Sequence, residues 1–152
     1  MENLIKVALY QPDIPQNTAA IIRLCACFET QLDIIEPCGF NMDDKRFRRV
    51  SMDYSENCKI NFFTSFDEFL IKKKNKRIIL MTTKAETKYH MFNFKHDDIL
   101  LFGRESAGVT KEMHNTIKEK LLIPIQNNTR SLNIVSSVAI VLSEALKQNN
   151  LI

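Results

Sequence analysis

Ile123-Pro124-Ile125-Gln126-Asn127-Asn128-Thr129-Arg130-Ser131-Leu132-Asn133, with the apolar run that continues to Leu146, is the stretch that decides the fold. A short buried strand ending at Pro124 is followed by a polar turn. Beyond the turn, Val135, Val138, Ala139, Leu142, Ala145 and Leu146 recur at helical spacing. Ile134, Ile140 and Val141 widen that stripe until little of the helix suits water, so it needs cover on more than one side, from its own sheet and from another helix or another subunit. The turn at 126–131 is then a wet loop at the edge of a dry element. Open α/β folds bind ligands in such places.

Upstream, apolar runs alternate with helical patterns. Strands are expected at 4–10, 31–36, 59–63, 78–82, 99–102 and 121–125, and helices at 17–28, 43–50, from Ser65 onward, and at 111–118. Asn17 reads as the N-cap of the first helix and Ser65 as a cap of the third. Asp43 and Asp44 stand ahead of Lys45, Arg46, Arg48 and Arg49, the order a helix dipole favours. This alternation predicts an α/β class with a mainly parallel six-stranded sheet flanked by helices. At 152 residues the chain suits one domain, 1–152, with its own core.

Composition narrows the function. Apolar residues are 45% and charged residues 26% of the chain, an ordinary globular balance, and no window reaches the roughly 20 apolar residues of a membrane span. The start, Met1-Glu2-Asn3-Leu4-Ile5-Lys6, lacks the pattern of a signal peptide, so a cytoplasmic location is expected. Cys25, Cys27, Cys38 and Cys58 follow no zinc-ligand spacing and read as buried free thiols, and no metal is expected. The net charge of +3 is small. Its distribution carries more, because the bases at 45–49 and at 72–77 either face phosphates or form solvated surfaces.

Two of the three glycines, Gly103 and Gly108, bracket a single turn after the strand at 99–102. Glu105 sits inside it and either caps the next helix or faces a ligand. The turn is neither a P-loop nor a dinucleotide fingerprint. With 11–17 and 126–133 it makes three polar turns, each after a strand, and a parallel sheet would gather them at one edge.

At those turns the sequence resembles a known family. Pro12-Asp13-Ile14-Pro15-Gln16-Asn17-Thr18 with Ile21-Ile22-Arg23-Leu24-Cys25, Ile35-Glu36-Pro37, Asp43-Asp44-Lys45-Arg46, Asp53-Tyr54, Thr82-Thr83-Lys84, Phe102-Gly103-Arg104-Glu105 and Arg130-Ser131-Leu132-Asn133 are similar to the SPOUT-superfamily tRNA 2'-O-methyltransferases. The minimal TrmL-like enzymes, which methylate the wobble ribose, match best. The resemblance implies a C-terminal trefoil knot, a homodimer with the active site completed across its interface, and S-adenosylmethionine as cofactor. The anticodon stem-loop of tRNA, with a wobble pyrimidine, is the implied substrate. Cofactor contacts would fall at Met81, Gly103, Ile123 and Ser131, many through backbone atoms. Arg23, Asn17, Glu105, Ser131 and Asn133 are the matching catalytic set: Arg23 orients the target, Glu105 fixes Arg23 or the turn, and Asn17 and Asn133 hold loops. Arg130, Lys45 and Arg46 are candidates for RNA contact. Three positions depart from the family pattern: Ser143 replaces tyrosine, Ala19 replaces glycine, and Val135-Ser136 lies where a Ser-Asn pair is usual. Two other readings stand beside the main one, a non-catalytic RNA-binding dimer of this fold and a ribosomal-RNA methyltransferase.

Overall fold

The computed structural model describes residues 3–54 and 56–152. Among them, seven strands form one sheet: β1 (Lys6–Tyr10), β2 (Gln31–Ile35), β3 (Ile60–Phe63), β4 (Ile78–Met81), β5 (Thr87–Lys88), β6 (Ile99–Phe102) and β7 (Glu119–Leu122). Their spatial order is β3-β2-β1-β6-β4-β7-β5, and every pair is parallel. The helices are α1 (Pro15–Cys27), α2 (Lys45–Tyr54), α3 (Phe66–Lys72), α4 (Lys111–Thr116) and α5 (Ile134–Gln148).

The sheet therefore has seven strands where the sequence predicts six. The added strand, β5, is two exposed residues paired to β7 at the sheet edge, too short and too polar to leave a periodic signal. β7 also begins two residues earlier than expected and stops before Ile123, which frees Ile123, Pro124 and Ile125 for a loop.

Alternation along β1 sorts the core. Ile5, Val7 and Leu9 pack with α1, α2 and α5 on one face, while Ala8 and Tyr10 pack with α3 and α4 on the other. Interior strands covered on both faces read as nearly unbroken apolar runs, as 99–102 does. No helix among the described residues is long and apolar enough to cross a membrane.

Helix starts follow local chemistry. Ser65 Oγ accepts from Glu68 N at 3.1 Å, and Glu68 Oε2 accepts from Thr64 N at 2.5 Å, a reciprocal arrangement of the capping-box kind. Thr110 caps α4 and Asn133 caps α5, each through its side-chain oxygen. α1 differs from the expectation. Its N-cap is Ile14, in extended backbone, with Pro15 fixing the first turn, so Asn17 lies inside the helix and caps nothing. α2 starts at Lys45 because Asp44 Oδ1 accepts from Arg46 N at 2.9 Å and Phe47 N at 3.2 Å, and it runs to Tyr54, four residues past the expected end.

The two basic clusters part company. Lys72, Lys73, Lys76 and Arg77 pair with Glu68, Asp33, Asp97 and Asp98 at 3.1, 2.9, 3.1 and 2.6 Å, so this cluster is structural. Among the described residues, Lys45, Arg46, Arg48 and Arg49 on α2 have no carboxylate partner. All four cysteines are free; Cys25 and Cys58 are buried, but Cys27 is exposed and Cys38 half-buried, so the expectation of buried thiols holds for two of them.

Candidate active site

Parallel pairing sets the strands' C-terminal ends level. Phe102 is in register with both Leu9 and Met81, and Met81 with Leu121. The chain leaving β1, β4, β6 and β7 thus emerges on one edge, and the last three exits wall a cleft of about 820 Å³. That volume lies within the usual range for small-molecule sites, about 300–1,000 Å³. Met81, Gly103, Ile123 and Ser131 all line it, as do Asn17, Glu105 and Asn133.

The cleft is closed by contacts far apart in sequence. Asn133 Nδ2 donates to Asn17 Oδ1 at 3.3 Å, tying the start of α5 to the first turn of α1. The 103–108 turn is a tight antiparallel bridge, with Arg104 and Gly108 exchanging backbone hydrogen bonds of 2.9 and 2.8 Å. Gly108 sits at φ 64°, where a side chain is strained. A Cβ on Gly103 would lie 2.7 Å from the Gly108 carbonyl carbon. Gly103→Ala is accordingly expected to destabilise the fold by about 1–3 kcal/mol, because backbone cannot yield as a side-chain tip can; denaturant titration measures it.

Behind this turn stands Asp13. Its N–H donates to Glu105 Oε2 at 3.1 Å, and the Glu105 N–H donates to Asp13 Oδ1 at 3.2 Å. Ser106 Oγ donates to Asp13 Oδ2, and the Arg104 guanidinium lies 3.7 Å from the same oxygen. These reciprocal bonds set the two carboxyl groups side by side. Burial, then this contact, raises the Glu105 carboxyl above its ordinary range, and the same contact lowers Asp13. The loop after β2 joins in: Gly39 N–H donates to Pro12 O at 2.9 Å, and a Cβ on Gly39 would sit 2.5 Å from Asp13 Cβ. Glu105 therefore fixes the turn and the β1–α1 loop rather than Arg23.

Arg23 lies elsewhere. It is exposed, outside the cleft, in a smaller hollow with Pro15, Gln16, Ala19, Ala20, Arg46 and Phe47, its guanidinium 5.7 Å from the Tyr54 ring centre. Asn17 and Arg23 are six residues apart, and at about 100° per residue they point about 120° apart on α1. One chain's cleft can receive the first and not the second. Arg130 is exposed on the 126–133 loop, and Lys45 and Arg46 are exposed on α2.

Three residues that line the cleft carry buried side-chain atoms with no hydrogen-bond partner: Arg104 Nε, Glu105 Oε1 and His114 Nε2. Buried polar atoms are seldom left so, and three of them on residues around one cleft suit a polar ligand. Apolar Met81, Ile123, Ile125 and Leu132 supply the surface for a flat ring. Asp13, Arg104 and His114 escaped the sequence reading. Asp13 and Arg104 lie in motifs that carry the resemblance, but the partner of Asp13 is 92 residues away and leaves no local signal.

The sequence pattern of the SpoU rRNA Methylase family matches residues 4–143. A protein of Beijerinckia indica subsp. indica named tRNA (cytidine(34)-2'-O)-methyltransferase is 45% identical over 93% of this chain and 90% of its own length. The Escherichia coli K12 protein of the same name is 35% identical, covering 95% and 94%. A solved structure reported for 2-OH methylation of C/U34 on tRNA superposes with a TM-score of 0.91 at 31% identity, covering 96% of both chains.

Proposed function

Since this chain belongs to the SpoU rRNA Methylase family, we propose that it transfers a methyl group from S-adenosylmethionine to the ribose 2'-hydroxyl of the wobble pyrimidine of tRNA. The observation that carries this is the likeness to tRNA (cytidine(34)-2'-O)-methyltransferases along nearly the whole chain, at up to 45% identity. The donor, when bound, supplies an activated methyl on a cationic sulfur. The chain's own residues then have to hold, align and exclude water, and alignment alone is worth roughly 7–11 kcal/mol.

The cleft fits that donor by size, by its apolar wall and by its orphaned polar atoms. Backbone groups at Met81, Gly103 and Ile123, with Ser131, would hold it, and peptide N–H and C=O can read a purine edge whatever the side chain. Asn17 and Asn133 pin the two helices that frame the cleft. Arg23 orients the target phosphate and ribose as a fixed cation, since guanidinium does not give up its proton.

A second copy of the chain belongs to this reading. α5 buries Val138, Val141, Leu142, Ala145 and Leu146 against its own core, yet Ile134, Val135, Ala139 and Ile140 are only half covered. A homodimer built on that face would cover them and carry one protomer's Arg23 to the other's cleft. Trefoil threading of the 126–133 loop, within one SPOUT domain, is the topology that goes with it.

The test is direct. Unmodified tRNA incubated with the protein and a methyl-labelled donor should gain label on the ribose at position 34. Label in ribosomal RNA alone, or donor and tRNA retained together without transfer, would overturn this reading in favour of a ribosomal enzyme or a non-catalytic binder. The unpaired cations of α2 give a second expectation: substituting Lys45 or Arg46 by alanine should weaken tRNA binding and lower the slope of log K against log salt by about 0.7–0.9 for each phosphate no longer neutralised. Filter binding over a salt series measures it.

A further inference from the structure

Glu105 is the one carboxyl group among the described residues that line the cleft. Every other charged or titratable group on that wall is basic: Lys84, Arg104, Lys111 and His114. Its Oε2 accepts from Asp13 N, its Oε1 is buried with no partner, and the return bond from Glu105 N to Asp13 Oδ1 sets the two carboxyl groups side by side. Two ionised carboxylates in contact repel, and a buried carboxylate oxygen without a donor is costly. One proton held between the two groups removes both penalties.

We propose that this shared proton makes the Asp13–Glu105 pair a sensor of ligand charge: a cationic sulfonium donor entering the cleft draws the proton off Glu105, whereas the neutral thioether left after transfer does not. The inference rests on the cofactor reading above and goes beyond it, because it assigns the discrimination between donor and spent product to one side chain. The step balances simply. The O–H bond of Glu105 breaks, its electron pair stays on the carboxylate, and the proton passes to the solvent buffer.

The sign follows from the geometry and from the direction in which each group is pushed. Glu105 is raised by burial and by Asp13, so its proton stays on past the ordinary carboxyl range and leaves as pH rises. A cation binds the ionised form more tightly, so donor affinity rises with pH through that range and one proton is released on binding. The other groups facing the pair are Arg104, 3.7 Å from Asp13 Oδ2, and Cys38, whose thiol is pushed up to about 11 by burial and by Glu36 and Glu105. The Cys38 thiol keeps its proton throughout this range, so it does not supply the slope.

Donor and product share their adenosine, amino and carboxylate groups and differ at sulfur, so the ratio of their affinities isolates the charge. Calorimetric titration of the full chain with S-adenosylmethionine and S-adenosylhomocysteine, from about pH 5 to about pH 8 in two buffers of different ionisation heat, reads both the ratio and the proton count. The expected result is a donor-to-product preference that rises about tenfold with pH, the scale of one partly screened charge pair, with proton release confined to the donor. Glu105→Gln should flatten the ratio. Asp13→Asn, which cannot share the proton in the same way, should move the rise to lower pH. His114→Gln, removing the one imidazole on the wall, should keep it. Parallel donor and product curves in the unmodified protein, or a slope that survives in Glu105→Gln, would overturn this inference alone. No binding of either compound at any pH would overturn the cofactor reading and this inference with it.

Discussion

Arg23→Ala is expected to slow methyl transfer by about 10²–10³-fold, the loss typical of a preorganised charge at a reacting centre, with cofactor affinity unchanged. The split follows from where the side chain is. Arg23 is on the outward side of α1, beside Arg46 and the Tyr54 ring, and no part of it lines the cleft. Stability should hardly move, since an exposed guanidinium over a ring contributes little at a solvated site. Single-turnover kinetics with saturating donor, set beside calorimetric binding, separates the two effects. Mixing Arg23→Ala with a folded cleft variant that does not bind the donor should restore activity that neither has alone if each cleft is served by the neighbouring subunit. A variant that loses cofactor affinity in step with turnover would show instead that Arg23 reaches its own cleft.

Asp98→Ala is expected to destabilise the fold by about 3 kcal/mol, the lower end for breaking a buried ion pair. Asp98 is fully buried and accepts from Arg77 Nε at 2.8 Å, Arg77 Nη2 at 2.6 Å and Lys95 N at 2.7 Å. Its backbone carbonyl takes Lys6 N at 3.0 Å, so one residue joins the starts of β1, β4 and β6. The side chain of Arg77, 26% exposed and stacked 4.7 Å from the Phe92 ring centre, can regain some water once its partner is gone, which keeps the loss from being larger. Equilibrium urea denaturation gives the figure. Asp98→Asn should lose less, because the amide oxygen still accepts from Lys95 N and Arg77. Equal losses for the two variants would mean that charge contributes nothing there.

The sequence treats these two residues differently. Arg23 is the only cation of the segment 17–28 and stands in a motif that carries the family resemblance. Asp98 has no such mark, since nothing in His96-Asp97-Asp98-Ile99 distinguishes a buried acid from a surface one until the strand order places Arg77 beside it. The basic run at 72–77 carried the same ambiguity, and only its four carboxylate partners mark it as structural.

By itself the sequence determined the alternation of strands and helices, the polar turns at strand ends and the cap at Ser65. Those are properties of spacing and of local hydrogen bonding, written in residues three or four apart. The tertiary structure alone decided that Pro15 rather than Asn17 begins α1, that a two-residue edge strand completes the sheet, and that Asp13 faces Glu105 across 92 positions. Each depends on which distant segments the parallel register lays side by side, and no local period encodes that.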